Sequence, residues 1–251
     1  MPAPKLAILI AVFFLTSIVS VVTGSTSLIT VPVMISIGIE AHTAVATNIM
    51  ALVFMSAGGS LPFAGKGVIT RGYLAPNIIL TILGSGLGAS IMLTVPVRVL
   101  QLVIAAAMFT VSAFTLLNRN FGEEPRVVAV SRVAEFSAYG IILLLAVYGG
   151  FFSGGYVTLL TAAFVVLFGM TFLQAVATTK VINVFSSGVA TLVFLWRGVV
   201  DVRLGLILGV TMFLGALLGG RIALRLTSNW LRRIFIAAVL VLAVRMLWLV
   251  R

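Results

Sequence analysis

Apolar runs long enough to cross a lipid bilayer recur along this chain, and they constrain the fold before any motif is read. A hydrocarbon core of ~30 Å needs ~20 helical residues. Runs of that order lie near 5–23, 43–63, 73–94, 98–117, 137–153, 173–196, 204–224 and 231–250. Hydrophobic residues make up 62% of the 251 positions and charged ones only 8%, too few polar groups to cover a water-exposed surface of this size. The expected fold class is therefore an all-α polytopic membrane protein. A soluble enzyme, a nucleic-acid binder and a disordered chain are excluded. The net charge of +11 comes from 16 Lys and Arg against 5 Asp and Glu. The basic residues fall mostly between the apolar runs, as the positive-inside bias of membrane loops requires, so the partner is the lipid bilayer and not nucleic acid. Cysteine is absent and His42 is the single histidine, so neither a Cys-ligated nor a His-based metal site is expected, and no cofactor.

Two further apolar stretches, 26–38 and 156–168, have 13 residues each. At ~1.5 Å per residue each reaches ~20 Å, short for a crossing. Both follow breaks of small residues: Gly24-Ser25-Thr26-Ser27 in one case, Ser153-Gly154-Gly155 in the other. The polar segment 118–136, with Arg119, Glu123, Glu124, Pro125, Arg126, Arg132 and Glu135, reads as an exposed linker. It separates a first transmembrane repeat, 1–117, from a second, 137–251. Residues 1–24 resemble a signal peptide, but their counterpart 137–153 is internal, which argues against cleavage.

A shift of 131 residues brings the sequence onto itself. Between 24 and 93 there are 21 identities in 70 ungapped positions, including Ala44-Val45-Ala46-Thr47 on Ala175-Val176-Ala177-Thr178. Gly24, Gly38, Gly84 and Gly88 fall on Gly155, Gly169, Gly215 and Gly219. Duplicated halves are a common transporter plan, with the substrate site where the halves meet. If 5–38 and 136–169 each cross once, the halves are parallel. If each is a hairpin, each half has an odd number of crossings and the halves are inverted. Counting Lys and Arg by side gives nine against five either way, so charge does not choose. The shortness of 26–38 and its Gly/Ser/Thr start favour hairpins and inverted repeats, with residues 3 and 40 on one side.

The interior chemistry points to an anion. Acidic residues are essentially missing from the runs; Glu40 lies at a helix end and Asp201 in a short loop. A transporter of hard cations would be expected to place carboxylates there. Lys180, in contrast, lies seven residues into the run 173–196. An ionisable residue at that depth is a functional candidate, against the plainer reading that it snorkels to the interface. Thr178, Thr179 and Asn183 are its polar neighbours, and Lys180 and Asn183 share a helix face. The first half has Ile49 at the matching position, beside Thr47 and Asn48, which could equally serve hydrogen bonds between close-packed helices. Half-helices starting at Thr26 or Tyr156 would aim free backbone N–H groups at mid-depth, with Ser25, Thr26 and Ser27 as caps. Alternatively Gly24, Gly154 and Gly155 only permit close packing. The candidate substrate-binding set is Lys180, Asn48, Thr47, Thr179, Asn183, Gly24, Ser25, Thr26, Ser27, Gly154 and Gly155. An empty site leaves Lys180 to find a mobile anion or give up its proton, so coupled protons are a second expected partner. Arg245, near the C-terminus, reads as snorkelling. Asn77, after Pro76, could serve a kink. Glu40 and His42 read as an exposed pair, and Gly84, Gly86 and Gly88 as helix packing.

The Gly/Ser-rich break, Pro32, Gly38, the AVAT string and the later paired glycines resemble the sulfite exporter TauE/SafE family of prokaryotic membrane proteins. The likeness runs from about 6 to 250. The sequence departs from the family's Gly-Gly-Gly cluster at Gly24-Ser25-Thr26-Ser27, and Ala163 stands where the second half would carry Pro. The resemblance implies a multi-pass protein of the plasma or inner membrane. It also implies secondary transport, in the export direction, of a sulfur-containing anion such as sulfite, thiosulfate or an organosulfonate. A passive anion channel could use the same cradle. An intramembrane enzyme lacks a nucleophile–base or carboxylate pair, and a membrane scaffold remains a further class.

Overall fold

The computed structural model describes residues 2–24, 26–100, 102, 103, 106, 132–226 and 230, with backbone only for 132–135. The runs 98–117 and 231–250, most of the linker 118–136, Ser25 and Arg245 lie largely or wholly outside these residues. All regular structure among the described residues is helical. The helices are α1 (Ala3–Thr23), α2 (Ser27–Ser36), α3 (Ala41–Ser60), α4 (Leu74–Thr94), α5 (Arg132–Phe151), α6 (Tyr156–Phe168), α7 (Phe172–Trp196) and α8 (Val202–Ala223). Five of them, α1, α3, α4, α7 and α8, are long and apolar enough to cross a membrane. Their outer faces carry exposed Leu83, Leu87, Leu192 and Leu214, the expected lipid-facing surface.

Local sequence explains where helices start and stop. The carboxylate of Glu40 caps α3 by accepting from the Thr43 backbone at 2.9 Å. Thr171 and Gln174 form a reciprocal box at the start of α7. Asp201 caps α8 through the Leu204 N–H. Pro76 sits in the first turn of α4, where a missing N–H costs nothing, and Asn77 donates to the Tyr73 carbonyl at 2.7 Å. The pair ends no hydrogen-bond ladder there, so the kink that Pro76-Asn77 suggested has no physical basis. Partial burial raises the Glu40 pKa, but hydrogen bonds from Thr43 and His42 outweigh it and hold the carboxyl below its ordinary value. The His42 ring also meets the Val95 carbonyl at 2.9 Å and so ties the start of α3 to the end of α4.

Two sets of helices run in opposite directions. On α8, Gly205 approaches Met50 and Gly209 approaches Phe54, and Gly215 approaches Phe14 and Gly219 Ile18, so α1, α3 and α8 run the same way. On α4, Gly84 meets Ala146 and Gly88 meets Val147, while Ser85 bonds Ser186 and Gly86 meets Val189, so α4, α5 and α7 also run together. The two sets are antiparallel: Asn183 bonds Ser56, while Lys180, earlier on α7, touches Gly59, later on α3. α1 and α2 share one end of the bundle, where the Lys5 ammonium donates to the Ile37 carbonyl at 2.8 Å. α5 and α6 share the other, where the rings of Tyr139 and Phe168 lie 5.9 Å apart.

Candidate functional site

The two breaks meet in the middle of the bundle. α1 ends at Gly24, whose φ of +71° is left-handed, and α6 starts after Gly155, with φ +78°. A Cβ on Gly24 would lie 2.7 Å from the Thr158 backbone nitrogen, so the first turn of α6 packs directly on the end of α1. The Thr158 hydroxyl donates to the Thr23 carbonyl at 2.6 Å, meeting one of the acceptors that the end of α1 leaves free. On the other side, Gly154 faces Leu28 of α2 and its carbonyl accepts from the Tyr148 hydroxyl. Ser153 has φ +66°, an uncommon conformation for a residue with a side chain, and allows the chain to reverse there.

A cavity of about 10 Å³ lies at this junction, lined by Gly24, Thr26, Ser27, Ser153, Lys180 and Asn183 among others. That is room for about one water. Lys180 is fully buried, and its ammonium donates to the Ser20 carbonyl at 2.9 Å. The same carbonyl accepts from Gly24 N, so the cation rests on the last turn of α1, where the helix dipole is negative. Lys180 therefore does not snorkel to an interface.

The remaining candidates surround this core in layers. Asn48 accepts from the Thr30 hydroxyl at 2.7 Å and donates to Ser27 at 2.8 Å, so it fixes a wall of the cavity without lining it. Thr179 accepts from Thr161 at 3.4 Å, the same contact one repeat later. Thr47 accepts from the Asp201 backbone at 3.0 Å, and Thr178 accepts from the Thr70 backbone at 3.2 Å, again a matched pair. Gly155 and Gly154 shape the second break. Thr26 and Ser27 do not cap α2: no side-chain cap bond forms there, and Thr26 turns to the sulfur of Met55. The capping role read for them is corrected accordingly, because Ser27 is engaged by Asn48 instead. Residues that sequence reasoning missed are Ser20, Ser56, Ser153 and Thr158. Ser153 could have been found from its place before the Gly pair. The Ser20 contribution is a backbone carbonyl and leaves no trace in the sequence.

Membrane-crossing helices around a buried polar centre, entered by broken helices from two directions, define a membrane transporter. The chain belongs to the Sulfite exporter TauE/SafE family, whose sequence profile matches residues 9–246. It is 29% identical to "Probable membrane transporter protein ORF9" of Sinorhizobium sp, over 96% of this chain and 92% of that one. It is 26% identical to "Probable membrane transporter protein YfcA" of Escherichia coli strain K12, over 97% and 90%. A "Probable membrane transporter protein" of Haemophilus influenzae is 24% identical over 97% and 94%. No solved structure matches the chain.

Proposed function

We propose that this transporter is a secondary carrier that exports a small sulfur-containing anion, such as sulfite, from the prokaryotic cell by alternating access. The observation that carries the reading is Lys180: a fully buried ammonium at the junction of the two breaks, held by a backbone carbonyl. An anion entering the junction competes with the Ser20 carbonyl for that ammonium. The bond to the Ser20 carbonyl is charged on the donor side only, whereas an anion adds the attraction of opposite charges, so the anion draws Lys180 off the end of α1. Asn183 and Ser27 line the same cavity and supply amide and hydroxyl groups, Asn48 positions the wall behind them, and Thr47 ties α3 to the start of α8.

The halves, 1–117 and 137–251, are read as inverted repeats. Support comes from the antiparallel sets of helices and from the two matched contact pairs, Thr47–Asp201 with Thr178–Thr70 and Thr30–Asn48 with Thr161–Thr179. Among the described residues the junction holds about 10 Å³ and no pore passes through it, which favours a carrier over a channel. It also implies that the halves must move apart to admit an anion. No catalytic role is assigned to the site. The test is reconstitution in liposomes with labelled sulfite, thiosulfate, small carboxylates and halides. Saturable exchange of sulfite across the vesicle membrane supports the reading. Equal, non-saturating flux of all anions points to a channel, and no flux of any sulfur anion overturns it.

A further inference from the structure

Outside the central junction, α4 buries a polar stripe. Asn77, Thr81 and Ser85 lie one turn apart on one face, and all are fully buried. The face packs on the second half. Ser85 donates to the Ala146 carbonyl at 3.2 Å and lies 2.6 Å from the Ser186 hydroxyl. The phenol oxygen of Tyr156, the first residue of α6, faces the hydroxyls of Thr81 and Ser186 but makes no direct hydrogen bond. Three buried oxygens here have no partner: Asn77 Oδ1, Thr81 Oγ1 and Tyr156 Oη. Helical Ser and Thr hydroxyls elsewhere fall back on a carbonyl of their own helix, as Thr16, Ser90, Thr191 and Thr211 do. Thr81 forgoes that bond, although leaving a buried hydroxyl unpaired costs ~1–3 kcal/mol.

The internal repeat provides a control. The positions equivalent to Asn77, Thr81, Ser85 and Ser186 are Leu208, Met212, Ala216 and Met55. All four are buried. The same scaffold therefore packs with an apolar seam, and the fold does not require polar groups at these positions.

We propose that the polar seam between α4, α6 and α7 is a binding site for an ordered water molecule. Proton counting supports this ligand. Ser85 has one proton, and the Ala146 carbonyl can only accept, so Ser85 spends it there. Ser186 must then be the donor to Ser85, which leaves its own lone pairs free. Asn77 gives one of its two amide hydrogens to the Tyr73 carbonyl, and its Oδ1, as an amide oxygen, can only accept. One water beside Tyr156 accepts from Thr81 and Tyr156 and donates to Ser186, which satisfies the three groups that meet there. A sodium ion fails the same count: it would leave two hydroxyl protons without acceptors, and no carboxylate belongs to the cluster. The water links the first half, through α4, to the start of the broken helix α6.

The test is radiolytic hydroxyl-radical labelling of the purified, full-length protein in isotopically heavy water, read by mass spectrometry. Radicals form from bound water, so a fully buried tyrosine is oxidised only if water lies beside it. We expect Tyr156 to be labelled in the wild type. The label is lost in N77L/T81M/S85A, which installs the residues of the other half, while Tyr148 keeps its wild-type rate. Absence of label at Tyr156 in the wild type, or equal label in both proteins, overturns the proposal. If the triple variant does not fold, Thr81→Val removes one hydroxyl at constant shape and is judged by the same loss. None of these readouts depends on transport, so they stand or fall apart from the proposed function.

Discussion

Lys180 combines full burial with a neutral partner, and this separates its cost from its use. A buried charge with no counter-charge carries a desolvation penalty, and the Ser20 carbonyl keeps its bond from the Gly24 N–H when the ammonium is removed. Lys180→Met is therefore expected to melt at the same temperature as the wild type or higher, and to lose sulfite exchange. A variant that is clearly destabilised yet transports normally would make Lys180 a structural residue and move the site elsewhere. Gly24 gives the opposite pattern. Its positive φ and the 2.7 Å approach of Thr158 mean that Gly24→Ala strains the backbone and pushes the breaks apart. Strain of this kind costs on the order of 1–3 kcal/mol, to be read as a lower melting temperature. Glu40 sets a pH dependence. Its folded pKa is depressed, so its contribution is present above the unfolded value and is lost as pH falls through the folded one. Glu40→Gln should thus melt below the wild type at neutral pH; the difference starts to shrink near the unfolded carboxyl value of about 4 and vanishes only below the lower folded one.

At the scale of helices, the glycines of α4 illustrate how packing was written in the sequence. A Cβ at Gly88 would come within 1.9 Å of the Val147 carbonyl, whereas one at Gly188 of α7 meets nothing within 4 Å. Gly88→Ala is expected to destabilise by ~1–3 kcal/mol through overpacking. Gly188→Ala should stabilise by up to ~1 kcal/mol from helix propensity alone. Thermal unfolding in detergent distinguishes them, and equal effects would refute the close α4–α5 contact. The apolar runs, the helix breaks and the in-register glycines were legible in the sequence because each follows from length, small size or repetition. Lys180 was legible because a charge in an apolar run is costly. The cavity wall was only partly legible. Ser20 acts through its carbonyl, which any residue has, and Thr158 through a contact 135 residues away along the chain. Thr26 and Ser27 were read as caps from local pattern, yet Met55 and Asn48, far along the chain, claim them instead.

Across the whole molecule, the placement of loops predicts which face is cytoplasmic. Lys5 against Ile37 places the start of α1 and the end of α2 at one face, together with the loop holding Asp201 and Arg203. The helices then carry Lys66 and Arg71 to the other face, with Arg221 and Arg225. On the hairpin topology, the sequence count gives the side of Lys66 nine Lys and Arg against five on the other. The positive-inside bias predicts that the Lys66 side is the cytoplasmic one. Lys66 and Arg197 occupy the same position in the two repeats, so they discriminate sharply: inverted halves put them on opposite sides, parallel halves on one. The chain has no cysteine, so single cysteines can be introduced at Ala3, Ser36, Lys66 and Arg197 without background. An impermeant maleimide applied to intact cells should label the first, second and fourth and spare the third until the membrane is opened. Labelling of Ala3 and Ser36 from opposite sides would turn the α1–α2 return into a crossing. Labelling of Lys66 and Arg197 from the same side would make the halves parallel, and a carrier that exchanges two mirror-related conformations would no longer follow from the fold.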